Sequence, residues 1–374
     1  MFHSHSFWFK LLPHEELKQI YLSAAIRSFS LSLVGLFIPL FLYHERGVSF
    51  SNTLLFYIFF SSIFALFTPL AAKFAARFGI KHSVLVSIPI YLGFLCAIYL
   101  LSPTTPNLFI MGSLLGLSLA LYWMGMNLIF HRASDHKHRG EEVGKKLGYS
   151  ILAAMIGPLI GGFLISTVGF LPVFILSALI QLVAAYVLFL SKENHIRYHF
   201  SLLSILNKHN WRLSVFYLTR GSHAIAETVL WPIFVFVILG SYLKLGLLGF
   251  LLSLISAILV WTIGRYSDRN DKRKIVWALT PLEAVTWFGR TLATGVSHVV
   301  GITIAGAITH GVRDSPLSAL EFDKARGDIT TYFVHREIFL CVGRIILLSL
   351  VLVTDSLTSG FLFQGILSLG ALLI

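Results

Sequence analysis

Hydrophobic and polar positions along the chain divide it into long, almost unbroken apolar runs separated by short polar segments. The runs are too long and too evenly apolar to be the alternating strands of about ten residues that build an outer-membrane barrel. About 20 apolar residues carry a helix across roughly 30 Å of hydrocarbon. Twelve such runs are read here: Ile20–Tyr43, Thr53–Phe74, His82–Leu101, Asn107–Phe130, Leu147–Val168, Phe170–Leu190, Leu213–Gly240, Leu245–Tyr266, Ile275–Ala293, Ser297–Val312, Ile329–Val353 and Leu357–Ile374. The tenth and twelfth are short. The tenth can continue through Pro316 towards Glu321, and the twelfth stops at the last residue. The expected fold class is an all-α membrane protein of twelve transmembrane helices.

Composition removes the soluble alternative. Of the 374 residues 56% are hydrophobic and 12% charged, whereas globular domains carry about 25% charged residues. A net charge of +12 would suggest nucleic acid in a soluble protein; here it fits basic loops against an anionic leaflet, with the bilayer and not nucleic acid as partner. With the N-terminus inside, the cytoplasmic segments and adjoining span ends hold 22 of the 29 Lys and Arg residues, and the outer loops hold two, Arg46 and Lys244. That asymmetry follows the positive-inside rule. Both termini are therefore expected on the cytoplasmic side of the cell (inner) membrane. Cys96 and Cys341 lie inside apolar runs and imply no disulfide framework. The polar N-terminal residues do not read as a cleavable signal.

Four regions follow: a cytoplasmic segment over 1–19, six spans over 20–190, a cytoplasmic linker over 191–212, and six spans over 213–374. The linker alternates charged residues with Leu202, Leu203, Ile205 and Leu206, as in an amphipathic helix on the inner surface. A basic turn recurs at half-length spacing. Arg77, Gly79 and Lys81 follow span two, and Gly264, Asp268, Arg269, Lys272 and Arg273 follow span eight, with Arg77 and Arg269 192 residues apart. A duplicated six-span unit predicts such a repeat.

With these marks the chain resembles the major facilitator superfamily of secondary transporters over nearly its whole length. The family signature after span two, G-x-x-x-D-R-x-G-R-[KR], is matched in the second half except that Asp271 replaces a Gly. The first half has Ala72, Ala76 and Ile80 where Gly, Asp and Arg would stand. The resemblance implies a conformational latch at Asp268; the plainer alternative is a solvated basic turn. Span five carries Gly157-Pro158-Leu159-Ile160-Gly161-Gly162, similar to the G-P-x-x-G-G motif of the family's drug and proton antiporters. Small residues let helices approach closely and Pro kinks a helix. This favours export over import, although the Arg that many of those antiporters carry in span four is absent.

Ionisable residues inside spans are functional hypotheses by default. Arg220, His223 and Glu227 in span seven share one helical face. The resemblance implies that spans one, four, seven and ten line a central cavity, which adds Arg27, Tyr122, Trp123, Asn127, Thr303 and His310 to the expected substrate path. Glu227 is the first choice for proton coupling, with His223 as helper or alternative; the plainer reading is an Arg–Glu staple. Arg27 is either a substrate contact or the counter-charge of Glu227. Glu283 and Arg290 in span nine are read as structural pairs with adjacent spans. Arg336, Glu337 and Arg344 in span eleven are read as gate or staple. Tyr122 and Trp123 either stack on substrate or pack.

His3, His5, His14, His131, His136 and His138 match no metal-ligand spacing, and no phosphate-binding G-x-x-x-x-G-K-[ST] loop or nucleophile–base motif occurs. The expectation is a monomeric secondary transporter of a small solute, with no enzymatic activity, cofactor or metal. It is proton-coupled and works by alternating access, as 147–190 and its neighbours rock against the second half and the Asp268 latch favours the inward-closed state. Alternatives are an uncoupled facilitator or importer, a lipid-handling transporter, and a non-transporting membrane sensor or assembly protein.

Overall fold

The computed structural model describes residues 16–133, 148–190, 211–267, 271–323 and 328–373. Among these residues the chain is all-helical, with no strand. The helices are α1 (Glu16–Gly35, extended by Ile38–Leu40 and a π turn at Phe41–Glu45), α2 (Phe50–Phe78), α3 (Ile80–Leu100), α4 (Thr105–Ala133), α5 (Gly157–Val168, preceded by a helical segment at 148–155) and α6 (Phe170–Phe189). They continue with α7 (Trp211–Leu239), α8 (Tyr242–Ser267), α9 (Lys272–Arg290), α10 (Val296–Asp323), α11 (Ile329–Thr354) and α12 (Leu357–Ser368, ending in a 3-10 turn).

Nine helices among the described residues are long and apolar enough to cross a membrane. The twelve-span expectation is met only to that extent. Helix α12 falls short by length, and α9 and α10 fall short through the polar and charged residues they carry, among them Glu283, Arg290, His310, Arg313 and Asp314. Helix α10 runs on through Pro316 to Asp323. The linker over 191–210, the N-terminal segment over 1–15, and Asp268 and Arg269 lie outside the described residues.

Each helix satisfies its own backbone, as hydrocarbon demands, and large side chains such as Leu66, Phe163, Leu179, Val285 and Leu292 point outward. Within the first half, α2 and α3 pack on α4, and α1 packs on α5 and α6; within the second, α7 packs on α11, α8 and α9 on α10, and α9 on α12. Two crossings join these sets, α2 against α11 and α5 against α8.

Glycine marks the close crossings. A Cβ on Gly116 would stand 2.6 Å from the carbonyl oxygen of Phe60, and one on Gly162 would stand 2.6 Å from that of Tyr242. Gly221 of α7 lies directly on the Leu340 backbone of α11, and Gly343 of α11 lies on Leu218 of α7. The turn between α2 and α3 is the single residue Gly79, whose φ of 109° suits a residue without Cβ. Arg77 sits in the last turn of α2 with its guanidinium 5.4 Å from the Phe78 ring centre.

A test of the α7–α11 crossing follows. Gly221→Ala forces a methyl into the Leu340 backbone and is expected to cost about 1–3 kcal/mol. Gly93→Ala on α3, where nothing lies within 4 Å of the added carbon, is expected to stabilise by about 0.5–1 kcal/mol. Thermal unfolding of the two purified variants in detergent compares them.

Candidate functional site

The polar face of α7 meets α9 and α10. Arg220 pairs with Asp314 at 2.5 Å and lies 4.0 Å from Glu321. One turn on, His223 Nδ1 lies 3.0 Å from Glu283 Oε1, while the other oxygen of Glu283 is held by Arg313. A further turn on, Glu227 pairs with Arg290, whose guanidinium is sandwiched near Trp287 and Trp231, 3.8 and 4.5 Å from their ring centres. The shared face expected for these three residues thus looks into a set of ion pairs spread over α7, α9 and α10.

Glu227 sits in a π turn, Ala226–Leu230, immediately before Trp231-Pro232. Proline has no N–H, so a carbonyl one turn earlier loses its helical partner, and wider turns of this kind relieve such a break. The turn leaves the Glu227 side chain 32% exposed beside a fully enclosed Arg290 at 2%.

From α10 the set continues to α11. Arg336 pairs with both Glu321 and Glu337, and Glu337 accepts a 3.2 Å hydrogen bond from Asn127 Nδ2 of α4. Asn127 is thereby a polar bridge between the halves. The His223 and His310 rings are stacked with centres 4.9 Å apart. Arg344 stands apart, its guanidinium 5.7 and 5.4 Å from the Phe60 and Phe64 ring centres of α2. Trp123 is 37% exposed and 5.2 Å from Tyr122.

Other expected residues lie elsewhere. Arg27 is not the partner of Glu227, which belongs to Arg290; it is enclosed in the first half, donating to Gln181 Oε1 at 3.0 Å and covering the Tyr122 ring at 3.8 Å. Gly157, Pro158, Gly161 and Gly162 form the floor of the α5 crossings: Gly157 and Gly161 meet Ser32 and Leu33 of α1, and Gly162 meets Tyr242 and Gly246 of α8. Gly264 lies near the end of α8.

Sequence reasoning gave no role to Asp314, Glu321 or Arg313, naming Glu321 only as the end towards which the tenth span continues. The available signal was the spacing of His310, Asp314 and Glu321 on α10, which repeats the one-face pattern of α7.

Counted over its ion pairs, the set holds five carboxylates (Glu227, Glu283, Asp314, Glu321, Glu337) against four guanidiniums (Arg220, Arg290, Arg313, Arg336). One positive charge is needed for neutrality. His223, Glu283 and His310 each bring one ligand atom to within 4.8 Å of the others. A metal ion there would have to break the His223–Glu283 contact and sit beside the Arg313 charge.

With the helices and this site in view, the comparison with known families is decisive: the profile of the Major Facilitator Superfamily matches residues 20–347. The chain belongs to the major facilitator superfamily. It is a multi-pass membrane protein of a family of small-solute transporters. The Bacillus subtilis (strain 168) protein YqgE, itself named as uncharacterized, is 25% identical over 296 residues, 74% of this chain and 67% of the relative.

In this superfamily member Glu283 and Arg313 are 2% and 3% exposed, and removing one partner of a buried pair costs about 3–5 kcal/mol. Glu283→Gln is expected to lose that much stability. Adding Arg313→Gln should recover part of it, so that a double-mutant cycle on thermal unfolding returns a favourable coupling; strict additivity would mean the pair contributes nothing.

Proposed function

We propose that the protein spans the cytoplasmic membrane twelve times as two six-helix halves, with both termini on the cytoplasmic side, and moves a small solute by proton-coupled alternating access. Packing within 20–190 and within 213–374, with cross-contacts concentrated at α2–α11 and α5–α8, supports the two halves. The distribution of Lys and Arg supports the orientation. The glycine seam formed by α5 with α1 and α8 supports a rocking motion, because small residues let backbones slide past one another without side-chain interlock. The likeness of Gly157-Pro158 and Gly161-Gly162 to the antiporter motif favours export.

The observation that carries the coupling is the surplus carboxylate within the ion-paired set of α7, α9, α10 and α11. A buried net charge in hydrocarbon is costly, so the set favours one bound proton when closed. Glu227 is the most exposed of the paired carboxylates, which makes it the port where that proton arrives. The charged and titratable side chains around it are Arg290, His223 and His310, and the last two pass the proton to the edge of Glu283. Asn127, by holding Glu337, ties the state of this set to the first half.

At the outer ends, His44 Nδ1 and Tyr242 OH are 3.0 Å apart, and Tyr242 packs against Phe37, Phe170 and Phe236. This aromatic cluster from both halves is suited to be an outer gate.

The test uses proteoliposomes and a solute found by thermal-shift screening of a metabolite panel. The wild type is expected to accelerate flux severalfold under an imposed pH gradient. Glu227→Gln should keep flux down the solute gradient while its response to pH falls to about none. Unchanged acceleration in that variant rejects the coupling role of Glu227, and no acceleration in the wild type leaves an uncoupled facilitator.

A further inference from the structure

Arg27 differs from the four ion-paired guanidiniums of the second half. Arg220, Arg290, Arg313 and Arg336 each meet a carboxylate, whereas no carboxylate among the described residues pairs with Arg27, which is 2% exposed. Its surroundings come from three other helices. Gln181 of α6 accepts from Nη1 at 3.0 Å, Tyr122 of α4 lies under the guanidinium at 3.8 Å, and Tyr91 of α3 is 5.9 Å away. Tyr122 and Tyr91 are the titratable side chains that face it.

The unused atoms of the guanidinium and the amide are all donors, while the Tyr91 hydroxyl, also without a partner, can donate or accept. Arg27 Nε and Nη2 are buried without a hydrogen-bond partner, and so is Gln181 Nε2. Buried donors of this kind are rare because each forfeits its hydration, and a lone buried cation is costlier still. What the site lacks is a negatively charged acceptor. The Nε–Nη2 edge of a guanidinium presents two parallel N–H groups whose spacing matches the two oxygens of a carboxylate.

We infer that Arg27 is the anchor for the carboxylate of a small organic acid, received on its Nε–Nη2 edge, with Gln181 Nε2 as an additional donor. A single guanidinium with no second cation facing it among the described residues matches one negative charge, which selects a monocarboxylate over phosphate or a dicarboxylate. The aromatic faces of Tyr122 and Tyr91 suit an apolar body behind the carboxylate. As a substrate site Arg27 rests on the transport reading above; as a binding site it stands alone. The closed packing around Nε and Nη2 means that the acid enters when α1 parts from its neighbours. Closure around it then supplies the missing counter-charge.

The test is thermal unfolding of the purified full-length protein in detergent, in chloride-free buffer at constant ionic strength. Benzoate, hexanoate and pyruvate are the probes; benzamide, hexylamine, phosphate and chloride are the matched controls. The monocarboxylates are expected to raise the unfolding temperature in a saturable way, and the controls to leave it unchanged. Arg27→Met should unfold at a higher temperature than the wild type without ligand, because the unpaired charge is gone, and should lose the carboxylate response. A merely structural arginine predicts a lower temperature. Gln181→Glu keeps Arg27 but adds an internal carboxylate, and is expected to weaken probe binding about tenfold or more.

The inference is overturned if no monocarboxylate stabilises the wild type, if Arg27→Met responds as the wild type does, or if phosphate, chloride or benzamide stabilises equally. Carboxylate binding through Arg27 without flux in proteoliposomes would reject transport and keep the site. Flux of a neutral or cationic solute without carboxylate binding would do the reverse.

Discussion

A charge enclosed in a helix bundle must find its opposite on a neighbouring helix, and that requirement organises the second half of this protein. Four helices contribute to one set of pairs: Arg220, His223 and Glu227 from α7, Glu283 and Arg290 from α9, Arg313, Asp314 and Glu321 from α10, and Arg336 and Glu337 from α11. Desolvation makes each charge costly by itself. Their mutual arrangement therefore constrains the helix registers more tightly than apolar packing, which tolerates exchange of one aliphatic side chain for another. The low hydropathy of α9 and α10 has the same origin. They are poor spans by composition because they carry the counter-charges that α7 and α11 require.

Periodicity and composition made the class of the protein legible. Uninterrupted apolar runs, a scarcity of charge and small residues at Gly157, Gly161 and Gly162 point to an all-helical membrane protein with close crossings, and the helices and the superfamily match agree. The one-face placement of Arg220, His223 and Glu227 was legible too, since helical spacing alone sets it. Partner choice was not. Glu227 is 63 residues from Arg290 and 200 from Arg27, and nothing in a linear pattern says which guanidinium the tertiary fold brings up. The continuation of the tenth span through Pro316 towards Glu321 was legible and α10 follows it to Asp323, but the pairing of Asp314 and Glu321 with arginines of other helices was not. The π turn at Glu227 depends on Pro232 five residues later, a local effect whose consequence for exposure needs three dimensions to see.

The two halves handle buried charge in opposite ways. The first half encloses one guanidinium against an amide and two phenol rings, leaving donors without acceptors. The ion-paired set of the second half holds one more carboxylate than guanidinium, with Arg344 standing apart from it. A guanidinium short of an anion and an ion-paired set short of a cation are each incomplete, and in the proposed cycle each is completed by something small and mobile. In the proposed cycle those are a carboxylate solute and a proton.

Such incompleteness is useful only if the halves sense one another, and the connections are few and specific. The α5–α8 crossing is built on glycines, and at the α2–α11 crossing Arg344 lies against the Phe60 and Phe64 rings. Asn127 to Glu337 is a polar link of a different kind, because Glu337 also shares Arg336 with Glu321, and Glu321 lies near Arg220. Releasing Asn127 leaves Glu337 to compete for Arg336, and the competition reaches α7 through Arg220. Transmission by exchange of ion-pair partners needs only side-chain movement until the glycine seams give way. In the proposed cycle, a small-residue seam with a polar link beside it would favour two discrete states over a continuum of tilts.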